Sequence, residues 1–238
     1  MLEIVNKCRL NDKQNLLLNE ILTDLEDNHI SGFNLSNFKG IRIADDNYLP
    51  SFSDGRLENQ QVLLPYEKLI NALANAYTDE YKKLRTTIYH ELVHLDLENK
   101  YPQLHNLYKK LVAQENYVKA TPIQIWMEYN AQETSEKLSV GSAIKIYFDS
   151  VCDFTWNLND ANDLVLLEKH LPYIIARING QHLNREESLS RIKNGEVRKI
   201  ILDVEEILKR LFALPGEDRI EYLKELFYYI ELIESKYQ

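Results

Sequence analysis

Cysteine is scarce in this chain. The 238 residues include two, Cys8 and Cys152. Two thiols are too few for the disulfide framework of a small secreted protein, and these two do not form a C-x-x-C metal motif. The low cysteine content fits a reducing compartment and argues against cysteine as a metal ligand.

Glycine, proline and long apolar runs are also few. Seven glycines and six prolines argue against long linkers or disorder, and no internal repeat is visible. The N-terminal MLEIVNKCRLNDK lacks the apolar run of a signal peptide, and no stretch approaches the roughly 18 apolar residues of a membrane span. We therefore expect a cytoplasmic protein with no membrane association.

An excess of positive charge is absent as well. The formal net charge is −9, and basic residues alternate with acidic ones, as in Glu67-Lys68. Because no basic stripe could neutralise phosphates, nucleic acid is not an expected partner. The chain has 238 residues, of which 45% are hydrophobic, so it can bury the core of one large domain or two small ones.

One motif carries a chemical meaning, the H-E-x-x-H of His90-Glu91-Leu92-Val93-His94. In a helix, His90 and His94 project from nearly the same side, one turn apart, so two imidazole nitrogens converge. Glu91 lies off that line, within reach of a metal-bound water. This division of roles is typical of a hydrolytic zinc site. The alternative interpretation is a surface helix that carries two solvated histidines.

The surrounding sequence predicts that the motif is helical. Thr78 is a good N-cap, and Asp79 and Glu80 follow in the first turn. Apolar residues recur at intervals of three and four positions through this stretch. Asn99 and Pro102 close the segment.

Two histidines do not complete a zinc site, and Glu128 is the candidate third ligand. Some zinc peptidases extend the motif to H-E-x-x-H-x-x-G-x-x-H, but Lys100 stands at the position of that third histidine. Glu98 lies a full turn beyond His94 and would have to coordinate the ion from there. Glu128 lies in an apolar, helical stretch, where a carboxylate is costly unless it is paired or bound to a metal. Pairing with a lysine or arginine, or simple exposure, is the alternative.

These motifs resemble the gluzincin group of zinc metallopeptidases. The likeness consists of HELVH on one helix and Glu128-Tyr129-Asn130-Ala131 on a later helix, and it covers residues 40 to 138. It implies a zincin fold, zinc bound by His90, His94 and Glu128, and Glu91 as general base. One departure is Gln132, which stands where family members carry an aspartate that orients a histidine.

The predicted fold class is α+β and predominantly helical. Residues 2–6 and 40–44 read as strands, and residues 57–64 read as one extended run that ends at Pro65 and suits a sheet edge. Helices are predicted near 66–77, 102–118 and 123–138, the last starting at Thr121-Pro122. We expect a zincin-like lobe at 1–140 and a helical lobe at 141–238, which could hold a protein partner.

The leading hypothesis is a cytoplasmic zinc peptidase that cleaves a peptide or protein substrate. A second hypothesis is an inactive zincin scaffold that acts as a protein-binding module. A third is a structural metal site, which predicts that metal removal unfolds the protein. His170 and His182 are candidates for stabilising the oxyanion.

Overall fold

The described residues of the chain are predominantly helical and form one small sheet, as predicted. A computed structural model describes residues 2–6, 9–45, 47–48, 54–136, 138, 152, 154–179, 184–213 and 218–237. Its strands are β1 (Ile41–Ala44), β2 (Arg56–Glu58) and β3 (Gln61–Pro65). Its helices are α1 (Asp12–Asn28), α2 (Tyr66–Ala72), α3 (Asp79–Lys100), α4 (Pro102–Ala113), α5 (Tyr117–Glu136), α6 (Ala161–Asn179), α7 (Arg185–Arg191), α8 (Gly195–Ala213) and α9 (Asp218–Tyr237). None of the described helices is long and apolar enough to cross a bilayer.

The chain divides into two compact units. The first unit consists of the described residues from 2 to 100 together with residue 138. The second unit consists of the described residues in the ranges 101–136 and 152–237. The first unit therefore holds the sheet and α1 to α3, and the second holds α4 to α9. The lobes predicted at 1–140 and 141–238 stay a prediction.

The sheet of the first unit has the order β1-β3-β2. β3 is parallel to β1 and antiparallel to β2, and Val62, Leu63 and Leu64 of β3 are buried. Residues 2–6 contribute a single bridge, Ile4 to Ile41, instead of the predicted strand. Because β3 is central, β2 lies at one edge of the sheet that the described residues form.

The single extended run predicted at 57–64 is wrong. The chain reverses at Asn59 and Gln60, whose φ angles are 51° and 66°, so the run forms the hairpin of β2 and β3. Two consecutive positive φ angles match the twist of a two-residue hairpin loop, usually marked in sequence by Asn-Gly or Asp-Gly. Glutamine at the second position hides that signal. The strand that ends at Pro65 is consequently the central strand and not an edge.

The second unit is built around α5. This helix packs along α6 and also contacts α4, α8 and α9. Its predicted start at Thr121-Pro122 is wrong, because the helix begins at Tyr117 and Pro122 lies inside it. The Thr121 hydroxyl donates to the Tyr117 carbonyl at 2.9 Å and does not cap a helix start.

A buried carboxyl in the second unit gives a prediction about stability. Glu168 on α6 is 4% exposed, and its Oε1 has no hydrogen-bond partner among the described residues. Burial, and then the negative charge of Glu234, raise the pKa of Glu168 to about 8. The folded chain therefore keeps a proton that the unfolded chain releases above its ordinary pKa of 4.5, so the free energy of unfolding falls as the pH rises from 4.5 to 8.

Glu168→Gln removes this ionisation and keeps the side-chain size. We expect the variant to be more stable than the wild type at pH 8 by roughly 2–4 kcal/mol, and nearly equal at pH 5. Urea unfolding at both pH values measures the difference, with Glu206→Gln, at an exposed position of α8, as the control. The same pH dependence in wild type and Glu168→Gln would show that Glu168 ionises normally.

Candidate metal centre

Helix α3 carries the H-E-x-x-H motif, as predicted. The Thr78 hydroxyl accepts a hydrogen bond from the Tyr81 N–H at 3.2 Å, which satisfies a donor of the first turn. Ile88, Leu92 and Leu95 are fully buried and anchor one face of the helix. The motif is thus held on a rigid, well-packed element of the first unit.

The two histidines face each other across one helical turn. Their Nε2 atoms are 3.1 Å apart, and their ring centroids are 4.7 Å apart with the planes at 76°. Zn–N bonds of about 2.0–2.1 Å in a tetrahedron place two ligand nitrogens about 3.3 Å apart. A direct N–H···N hydrogen bond, with one imidazole as donor, fits the same distance. In both arrangements the two Nε2 atoms face a common position between the rings.

Glu91 is held by the backbone of the edge strand. Its Oε2 accepts a hydrogen bond from the Leu57 N–H at 2.8 Å. Leu57 lies opposite Val62, one pair away from the two-residue loop, and such a pair does not exchange ladder hydrogen bonds. The Leu57 N–H therefore points away from β3, and Glu91 takes it.

Glu128 lies on α5 in the second unit and is half-buried. Its Oε2 accepts a hydrogen bond from the Tyr173 hydroxyl of α6 at 2.6 Å. The pKa of Tyr108 on α4 is raised by burial and then by the negative charge of Glu128. The Glu128 carboxylate thus lies among helices of this unit and accepts a hydrogen bond from a tyrosine. The sequence alone did not decide whether this carboxylate is buried or exposed.

One group of three side chains among the described residues could hold a metal ion. It consists of His90 and His94 on α3 and Glu128 on α5, each of which offers one ligand atom. His94 is 9% exposed, and the other two are half-buried. Glu91 is not a member of this group, and its role as a base stays a prediction.

No protein-family model, curated protein or solved structure matches this chain. The resemblance to gluzincins therefore rests on HELVH and Glu128 themselves.

The remaining residues singled out in the sequence fall outside the group of three. Glu98, the alternative carboxylate on α3, is not a member. His170 lies half-buried on α6, where burial lowers its pKa. His182 lies outside the described residues. The oxyanion role of either histidine stays a prediction.

Two contacts of the site were missed by sequence reasoning. Tyr173 is 45 positions from Glu128, and no pattern distinguishes it from the other fourteen of the 15 tyrosines. Leu57 lies in the predicted extended run, but the direction of its N–H depends on the turn at residues 59–60, which the sequence does not reveal. Neither contact leaves a local signal in the sequence.

Proposed function

We propose that this chain is a zinc-dependent hydrolase that cleaves peptide bonds. His90, His94 and Glu128 hold the ion, and Glu91 is the general base. The observation that carries the proposal is the convergence of the two histidines on α3, whose Nε2 atoms lie 3.1 Å apart. A zincin-type site needs this set of side chains in one place.

The donor set fits zinc better than it fits hard cations. Magnesium and calcium prefer all-oxygen ligands, whereas two neutral imidazoles with one carboxylate are a known zinc set that leaves a fourth position open. A bound zinc ion would supply a Lewis acid that polarises a carbonyl and lowers the pKa of water. The chain supplies the ligands, and the buried face of α3 keeps two of them one turn apart.

Glu91 is placed to move a proton. It follows His90 directly on α3, and its hydrogen bond to Leu57 fixes the orientation of the carboxylate. A carboxylate fixed in this way can accept a proton from the attacking water and then donate it to the leaving amine. Its absence from the ligand group suits this role.

The edge strand favours an extended peptide as the substrate. β2 lies at the edge of the sheet, and an edge strand can pair with an extended peptide through main-chain hydrogen bonds. Because Glu91 already accepts the outward-facing N–H of Leu57 in this strand, an extended peptide would pair with the outward-facing Leu57 carbonyl and lie beside the proposed base. This arrangement supports peptide hydrolysis over the hydrolysis of a small ester or amide.

Metal removal and return test the proposal. We expect treatment with 1,10-phenanthroline to abolish cleavage of a mixture of denatured proteins, and one equivalent of zinc to restore it, because the water is activated only by the ion. Mass spectrometry of newly formed peptide N-termini measures the cleavage. Magnesium, which prefers oxygen ligands, should not restore it.

The competing hypotheses give different outcomes in the same experiment. Stoichiometric zinc without any cleavage would indicate the inactive scaffold. Loss of helical circular dichroism when the metal is removed would indicate a structural site. Cleavage that persists after complete removal of the metal would contradict the proposal.

A further inference from the structure

A tyrosine from α6 holds the proposed carboxylate ligand. The hydroxyl of Tyr173 donates to Oε2 of Glu128 at 2.6 Å, a distance typical of a strong hydrogen bond to an ionised acceptor. Both residues belong to the second unit. The contact therefore joins the two helices that pack most extensively in this unit.

The packing of α6 against α5 fixes the position of this hydroxyl. Ile174 and Ile175, which follow Tyr173 in the chain, are 1% and 0% exposed, so α6 cannot rotate without exposing them. On α5, the small Ala131 is fully buried, and Trp126 is 2% exposed. The donor and the acceptor are consequently carried by two elements whose orientation is set by the core.

We propose that Tyr173 is a positioning residue for the metal ligand Glu128, an inference that rests on the proposed function. A carboxylate on a flexible side chain loses rotamer freedom when it binds an ion. The hydrogen bond from Tyr173 fixes the carboxylate before the ion arrives and orients it in the bound state. Partners of this kind typically contribute a factor of about 10–100 to metal affinity.

The chain offers a matched control for this hydrogen bond. The Tyr229 hydroxyl donates to Oδ2 of Asp203, also at 2.6 Å, and both residues belong to the second unit. Asp203 is not a member of the metal-ligand group. Tyr229→Phe therefore removes an equally short bond from a tyrosine to a carboxylate that is not a proposed metal ligand.

The test is the zinc dissociation constant of the full chain, measured by competition with a chromogenic chelator. We expect Tyr173→Phe to bind zinc about 10–100-fold more weakly than the wild type, and Tyr229→Phe to bind it with unchanged affinity. The visible spectrum of bound cobalt(II), which reports the ligand geometry, should change in Tyr173→Phe alone. Circular dichroism checks folding, and Tyr173→Met is a second variant without the hydroxyl should Tyr173→Phe not fold.

Failure of this inference can be told apart from failure of the proposed function. If Tyr173→Phe keeps the wild-type affinity and cobalt spectrum while Glu128→Ala loses zinc, the metal site stands and the positioning role is wrong. If Glu128→Ala also keeps its zinc, Glu128 is not a ligand and both proposals fall. If Tyr229→Phe weakens zinc binding as much as Tyr173→Phe does, the effect is one of general stability and the positioning role is again wrong.

Discussion

Replacement of Glu91 by glutamine is expected to lower the rate of peptide hydrolysis by about 10²–10⁴-fold, the range that a positioned general base contributes. The amide oxygen of glutamine can still accept the hydrogen bond that Leu57 donates to Oε2 of Glu91 in the wild type. The shape of the site is therefore kept, and only the group that takes the proton is lost. Peptide cleavage by the zinc-loaded variant, followed by mass spectrometry, measures the effect.

A control on the same helix separates catalysis from charge. Glu80 is exposed in the first turn of α3, so Glu80→Gln removes the same charge and should leave the cleavage rate unchanged. Glu91→Gln should retain one equivalent of zinc by elemental analysis. Equal rates in Glu91→Gln and the wild type would rule out Glu91 as the base, and loss of zinc from Glu91→Gln would make it a ligand.

His94→Ala and Glu128→Ala are each expected to lose stoichiometric zinc. Each variant keeps only two of the three proposed protein ligands. We therefore expect its affinity for zinc to fall by more than the factor of about 100 that a hydrogen-bond partner of a ligand contributes. Zinc content after dialysis against a weak chelator, measured by mass spectrometry of the metal, checks this result. Cleavage should be lost together with the metal.

The Glu128→Ala result tests the assignment of the third ligand, and it needs a control. His29→Ala removes a histidine that lies outside the ligand group, at the C-cap of α1, and it should keep its zinc. Loss of zinc from His94→Ala but not from Glu128→Ala would mean that the carboxylate ligand has been assigned wrongly. Glu98→Ala would then be the next variant to measure.

The sequence predicted the local part of the candidate site well. A capping threonine at position 78 and apolar residues at helical spacing were sufficient to place residues 90 and 94 on one helix, and the Nε2 atoms are 3.1 Å apart. The helical spacing fixes this relation within five residues. It depends on backbone geometry alone and not on the rest of the fold.

The long-range part could not be predicted in the same way. The hairpin at Asn59 and Gln60 has no glycine to mark its positive φ angles, so one strand was predicted where there are two. The partner of Glu128 comes from a helix 45 residues further along the chain. Such contacts follow from the packing of whole helices, and no pattern within one segment encodes them.

Burial of single polar groups also escaped the sequence. Glu168 lies in a helical stretch rich in leucine, and a carboxyl in such a stretch is usually assigned to the exposed face. The structure places it inside, where its pKa is raised to about 8. Amphipathic spacing predicts which face is buried on average, but the fate of a single residue at the boundary depends on the neighbouring helices.

The most direct test of the central claim is a crystal structure of the zinc-loaded protein with anomalous data collected on both sides of the zinc absorption edge. The account predicts one anomalous peak about 2.0–2.2 Å from the two histidine nitrogens and a Glu128 oxygen, with the fourth position occupied by solvent. A zinc peak bound to other side chains, or a His90–His94 pair that stays hydrogen-bonded without an ion in the presence of zinc, would contradict it.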